Sequence, residues 1–147
     1  MESEHSDDCV FCAILKEGDD EKNWILYRGK HCFVVINLYP YSNGHVMVVC
    51  NRHVDFFSNL SIEERAEVME VVSRCERVIL DAYKPGGVNV GVNLGRSAGA
   101  GILRHLHVHL VPRWHGDTNF MTAIGETRVV SEDLSNTYKR LKPHFEG

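Results

Sequence analysis

His105-Leu106-His107-Val108-His109-Leu110-Val111 alternates polar and apolar residues without a slip. On a β-strand, successive side chains point to opposite faces. The run predicts a strand over 105–112 with Leu106, Val108 and Leu110 turned toward a core. His105, His107 and His109 then share the other face. Three imidazoles in a row invite three readings: a satisfied polar set, a metal site, or a catalytic surface. One ion can hardly take all three, because His105 and His109 stand about 13 Å apart on an extended strand and zinc–nitrogen bonds are only about 2.0–2.1 Å. At least one histidine is left for other work. The middle one suits nucleophilic attack, since an imidazole with an ordinary pKa of about 6.5 is largely neutral near pH 7. Attack on phosphorus would form a phosphoramidate and divide one hard displacement into two easier steps.

Before this strand lies a glycine-rich loop, 95–104, with Gly95, Gly99 and Gly101. Glycines let backbone N–H groups approach a ligand and form an anion-binding concavity. Further upstream, 88–94 reads as a strand. Cys32–Ile36 and His45–Cys50 read as two more, joined by a loop whose Asn43-Gly44 pair is a turn signal. Ser61-x-x-Glu64 is a capping box. Behind it Ile62, Ala66, Met69, Val72, Ile79 and Tyr83 suggest one helix face, ended by Pro85-Gly86-Gly87. Cys9–Lys16 reads as a short helix ending at Gly18. The expected fold is α+β, with a mainly antiparallel sheet and one long helix on a face. Residues 1–8 read as a tail and 9–147 as a single domain.

The chain has 147 residues, 44% apolar and 24% charged, as in ordinary globular proteins. No apolar run nears the roughly 20 residues of a membrane span. The acidic, polar stretch 1–8 is no secretory signal, so the expected location is the cytoplasm. A net charge of −4 argues against a broad nucleic-acid-binding surface. Five cysteines, an odd number, speak against a disulfide framework. Cys9-x-x-Cys12 has zinc-ligand spacing but is half a site. Cys32, Cys50 and Cys75 read as small apolar residues.

The histidine run, with His45 in Asn43-Gly44-His45-Val46 upstream, resembles the defining motif of the histidine triad (HIT) family. The resemblance extends over roughly 9–120. It implies an antiparallel sheet of about five strands, continued across a homodimer. It implies that His107 becomes nucleotidylated, that His109 contacts the scissile phosphate, and that His105 orients the strand or ligates metal. His45 would support the imidazole network. Phe11 and Ile14 would sandwich the base and Asn37 would bond the ribose, with Leu38 beside it. Asn93, Ser97, Gly99, Gly101 and Ile102 would line the phosphates. The metal site, a structural zinc, would be Cys9, Cys12, His53 and His105, with no organic cofactor. Pro112–Phe120 resembles the hydrolases and phosphorylases of diadenosine polyphosphates, which favours a dinucleoside polyphosphate, adenine most readily, as substrate. Gly101-Ile102-Leu103-Arg104 departs from the Gln and small hydroxyl residue that many members carry there. A phosphoramidase and a non-catalytic nucleotide-binding module are the other readings.

Overall fold

A computed structural model describes residues 8–38, 43–99, 104–116 and 132–146. Gly101, Ile102 and Asp117–Phe120, which carry sequence expectations, lie outside the described residues. Among these residues five antiparallel strands form one sheet in the order β1-β2-β3-β5-β4. They are β1 (Ile25–Arg28), β2 (Cys32–Ile36), β3 (Val46–Cys50), β4 (Gly87–Gly91) and β5 (His107–Arg113). Every residue of β2 and β3 is buried, because these central strands are covered on both faces. That is why they read as continuous apolar runs rather than as alternation.

Among the described residues the α-helices are α1 (Val10–Glu17), α2 (Ile62–Tyr83) and α3 (Leu134–Leu141). On one face of the sheet, Leu26, Val34, Ile36, Val48, Val108 and Leu110 pack with Val68, Val72, Cys75 and Ile79 of α2 and Leu141 of α3. On the other, Phe11 and Cys12 of α1 pack with Ile25, Phe33, Val35, Met47 and Val49. The capping box forms as expected: Ser61 Oγ accepts from Glu64 N–H and Glu64 Oε1 from Ser61 N–H. Arg52 adds a charged pair to Glu64 at 2.8 Å and holds that carboxyl down at about 2. α1 ends where Gly18 turns left-handed, with φ 77°.

Three expectations need correction. The helix face was misplaced in its first half: Val72 and Ile79 are buried as expected, but Ile62 and Met69 are 73% and 61% exposed, and Ala66 is exposed beside them. The buried stripe is Glu64, Val68, Val71, Val72, Cys75, Val78 and Ile79. Periodicity finds a helix but not which of two neighbouring apolar stripes meets the sheet. The strand expected over 88–94 is Gly87–Gly91. The histidine strand begins at His107, because Arg104 adopts a left-handed φ of 47° and Leu106 N–H turns to the Val54 carbonyl. β1 and α3 escaped the reading altogether; β1 is only four residues long, too short for a periodic signal.

Candidate active site

β5 lies between β3 and β4, with His107 opposite Val49 and His109 opposite Met47. Strand alternation therefore puts both imidazoles on the face that carries α1, while Leu106, Val108 and Leu110 enter the core under α2. His107 Nδ1–H donates to the His105 carbonyl at 2.6 Å. A neutral His107 so held keeps its lone pair on Nε2. The Phe11 ring stands 5.1 Å away, which restricts the swing of the His107 ring.

His109 stacks edge-on to His107, with ring centroids 4.9 Å apart. Its Nδ1 is 3.0 Å from Nε2 of His45. His45 is buried just ahead of β3. Burial, and next the neighbouring His109, push its pKa down to about 4, so it is neutral at pH 7. His109 is also lowered, by burial first and then by His107. When the His45 proton sits on Nε2, that nitrogen donates to His109 Nδ1 and a neutral His109 carries its proton on its own Nε2.

Asn37 faces this pair from the end of β2. Its N–H donates to the His45 carbonyl, and its Nδ2 lies 3.1 and 3.3 Å from the two His45 ring nitrogens. Leu38 is exposed. Phe11 is buried and Ile14 half-buried at the edge of the same cluster. Asn93, Ser97 and Gly99 are exposed on the glycine loop, where Asn93 Nδ2 donates to the Gly99 carbonyl at 3.5 Å. Gly95 and Gly99 both have positive φ, 83° and 93°, which the turn around Arg96–Ala98 requires.

The low His45 pKa has a consequence for stability. The unfolded chain takes up this proton near pH 6.5 and the folded chain only near 4. Acidification through that window favours unfolding, and the contribution is intact above about pH 7. Between pH 7.5 and 5 the native protein should lose about 2 kcal/mol more stability than His45→Gln. Urea denaturation at the two pH values checks this; equal losses would contradict a buried neutral imidazole.

Next to His107 sits a second constellation. Cys9 and Cys12 at the start of α1 meet His53 and His105, with all four ligand atoms within 4.8 Å of one another. His105 Nδ1 is 3.2 Å from Cys9 Sγ, 3.5 Å from Cys12 Sγ and 3.2 Å from His53 Nδ1. Cys12 Sγ to His53 Nδ1 is 3.5 Å. A tetrahedral zinc with the usual bond lengths separates such donors by about 3.3–3.8 Å, so the residues fit that ion. His105 Nε2–H donates to the Cys50 carbonyl at 2.6 Å. That bond turns Nδ1 toward the other three donors and fixes the ring, as outer-shell partners of metal-binding histidines do. His105 thus has its ring in the cluster while its carbonyl holds His107.

A sheet of this topology carrying a histidine strand defines a class. Residues 19–116 match the HIT domain, and the chain belongs to the HIT family. It is 47% identical over 122 residues to the AP-4-A phosphorylase of Mycobacterium tuberculosis strain H37Rv, which covers 83% of this chain and 63% of that protein. The chain therefore spans less than two thirds of the length of that relative. Among solved structures, a hypothetical histidine triad nucleotide-binding protein from Sulfolobus tokodaii superposes with a TM-score of 0.71 at 29% identity, covering 93% of this chain and 89% of that one. A Zn-bound histidine triad family protein from Mycobacterium smegmatis superposes with a TM-score of 0.74 at 24% identity, covering 94% and 93%.

Sequence reasoning missed the carbonyls of His105 and Cys50, since any residue type supplies a carbonyl. It also missed Asn43 as more than a turn residue, although its place two positions before His45 was visible.

Proposed function

We propose that this protein cleaves a phosphoanhydride of a dinucleoside polyphosphate, adenine forms first, through a nucleotidyl-His107 intermediate, with inorganic phosphate as acceptor. The observation that carries the reading is the bond from His107 Nδ1–H to the His105 carbonyl, which leaves Nε2 as the attacking atom. Nε2 forms a bond to the α-phosphorus as the bridging P–O bond breaks. The departing nucleoside polyphosphate takes up a proton, which His109, whose ring lies 4.9 Å from that of His107, would give from Nε2. Phosphate oxygen then attacks the same phosphorus, the P–N bond breaks, and a nucleoside diphosphate leaves. Backbone N–H groups of the glycine loop, with Asn93 and Ser97, stabilise the charge on the phosphoryl oxygens. Asn37 holds the ribose, with Leu38 alongside, and Phe11 and Ile14 hold the base. The identity to a named phosphorylase supports phosphate over water.

The test is product analysis by mass spectrometry on diadenosine tetraphosphate in oxygen-18 water. Phosphorolysis yields ADP and ATP without label and requires added phosphate. Labelled AMP, formed with or without phosphate, would make the protein a hydrolase. Much faster release of an amine from an adenylated amine would make it a phosphoramidase.

We further infer that Cys9, Cys12, His53 and His105 hold a structural zinc. Four protein ligands leave no open coordination position, so the ion would supply rigidity and not an activated water. The arrangement of the donor atoms supports this. Reduced thiols at such a site suit the cytoplasm, which we assign as its location. We also infer a homodimer: among the described residues β4 is the last strand of the sheet and bears exposed Val90, and Ile62, Ala66 and Met69 form an exposed stripe on α2. A monomeric mass by light scattering would reject the dimer without touching the site. No helix among the described residues is long and apolar enough to cross a membrane.

A further inference from the structure

Far along the chain from the histidine strand, one carboxylate gathers an unusual number of donors. Glu132 Oε2 accepts from Tyr83 Oη at 2.6 Å and from Thr137 Oγ1 at 3.1 Å. Its Oε1 accepts from Arg140 Nε at 3.0 Å and lies 2.9 Å from Nη2 of the same guanidinium. Arg140 in turn lies over the Tyr83 ring, 5.1 Å from its centroid. Thr137 and Arg140 belong to α3, Glu132 lies two residues before it, and Tyr83 is the last residue of α2. The carboxylate thus pins α3 to the end of the long helix.

The same residue reaches the catalytic side of the molecule through its backbone. Glu132 N–H donates to Asn43 Oδ1 at 2.9 Å. Asn43 stands two residues before His45. Between them Gly44 turns with φ 81° and is wedged. A Cβ there would meet Tyr83 Cε2 at 2.8 Å and Pro112 Cγ at 3.3 Å. The Asn43-Gly44 turn is therefore set between α2, β5 and the start of α3. His45 leaves that turn, is buried, and meets Nδ1 of His109 at 3.0 Å. Asn37 holds the His45 carbonyl from the end of β2, and the Asn43-Gly44 turn fixes the chain that enters His45 from the other side.

We propose that the Asn43–Glu132 clamp is a positioning device, in which α3 and the end of α2 hold His45 at the distance that keeps the proton of His109 on its outward nitrogen. Asn43 and Glu132 are then positioning residues for proton delivery to the leaving group. This rests on the role given to His109 above. A fraction of an ångström at His45 propagates to the donor that must meet a leaving oxygen, and misplacement of about 1 Å in such a group can cost about a hundredfold in rate.

The test compares three variants of the full chain. Asn43→Ala removes the clamp's acceptor. Asn43→Asp restores an acceptor and is equally suited to the turn before Gly44. Thr137→Val strips a Glu132 partner within α3 and leaves Asn43 untouched. Turnover of diadenosine tetraphosphate and the ring nitrogen-15 chemical shifts of His45 and His109 are read at one fixed pH. Asn43→Ala should lose about tenfold in kcat with KM within twofold, and both sets of ring shifts should move. Asn43→Asp should recover both. Thr137→Val should lower Tm while keeping kcat and the shifts. Unmoved ring shifts in Asn43→Ala, or the same kcat loss in Thr137→Val at a matched Tm, would reduce the clamp to a stability element and overturn the proposal. The shift measurement needs no turnover, so it decides the clamp even if diadenosine tetraphosphate is not cleaved, an outcome that would strike only the proposed function.

Discussion

Replacing His107 with alanine is expected to abolish nucleotide cleavage, with kcat falling by about 10⁴-fold or more, because losing a covalent nucleophile removes the path itself and not one favourable contact on it. The fold should survive. His107 is only half-buried, and its packing partner Phe11 remains seated among Phe33, Val35 and Val49. Circular dichroism and a Tm within a few degrees of the native value would establish that. Labelled substrate should leave an acid-labile adduct on the native chain and none on the variant. A clean preparation of His107→Ala that turned over at the native rate would remove the nucleophile from its role. Retained binding with no adduct on the native chain would point instead to a nucleotide-binding module.

The second large effect concerns the cluster beside the nucleophile. Cys12→Ser should lose bound zinc, measured by elemental analysis of the purified protein, and Tm should fall by about 10 °C or more. Structural zinc in small zinc-finger peptides contributes about 10–16 kcal/mol to folding. Even a third of that is several degrees of Tm in a chain of this size. Activity should fall as well, through a route that can be traced atom by atom. Zinc loss frees the His105 ring from Cys9, Cys12 and His53, and the His105 carbonyl is the acceptor that holds His107 Nδ1–H. Cys75→Ala serves as the control: Cys75 is on the buried face of α2, in the core on the other side of the sheet from the cluster, and its loss should leave metal content unchanged. A native protein purified without zinc whose Tm does not respond to chelator would refute the metal assignment.

Much of this architecture was legible from the chain alone. The alternation in His105–Val111 assigned Leu106, Val108 and Leu110 to the core, which is where they pack. The capping box at Ser61 and Glu64 located the start of the long helix to the residue. Cys9-x-x-Cys12 pointed to a metal, and the family resemblance named His53 and His105 as its companions; the four meet in space across 96 residues of sequence. Other features had no signature. Ile62 and Met69 are as apolar as Val68 and Val72, so only docking against the sheet decided which stripe was buried.

Side-chain pattern by itself determined that a histidine-bearing strand exists, which residues line each of its faces, and that imidazole chemistry is on offer. These follow from local rules: the two-residue period of a strand and the few residue types that can do a given chemistry. Tertiary structure alone decided how that chemistry is armed. The His107 tautomer is set by a backbone carbonyl, the neutrality of His45 by burial, and its reach toward His109 by a turn wedged between Tyr83 and Pro112. Carbonyls are common to every residue, and burial is a property of everything packed around a group, so neither can be written in a short motif.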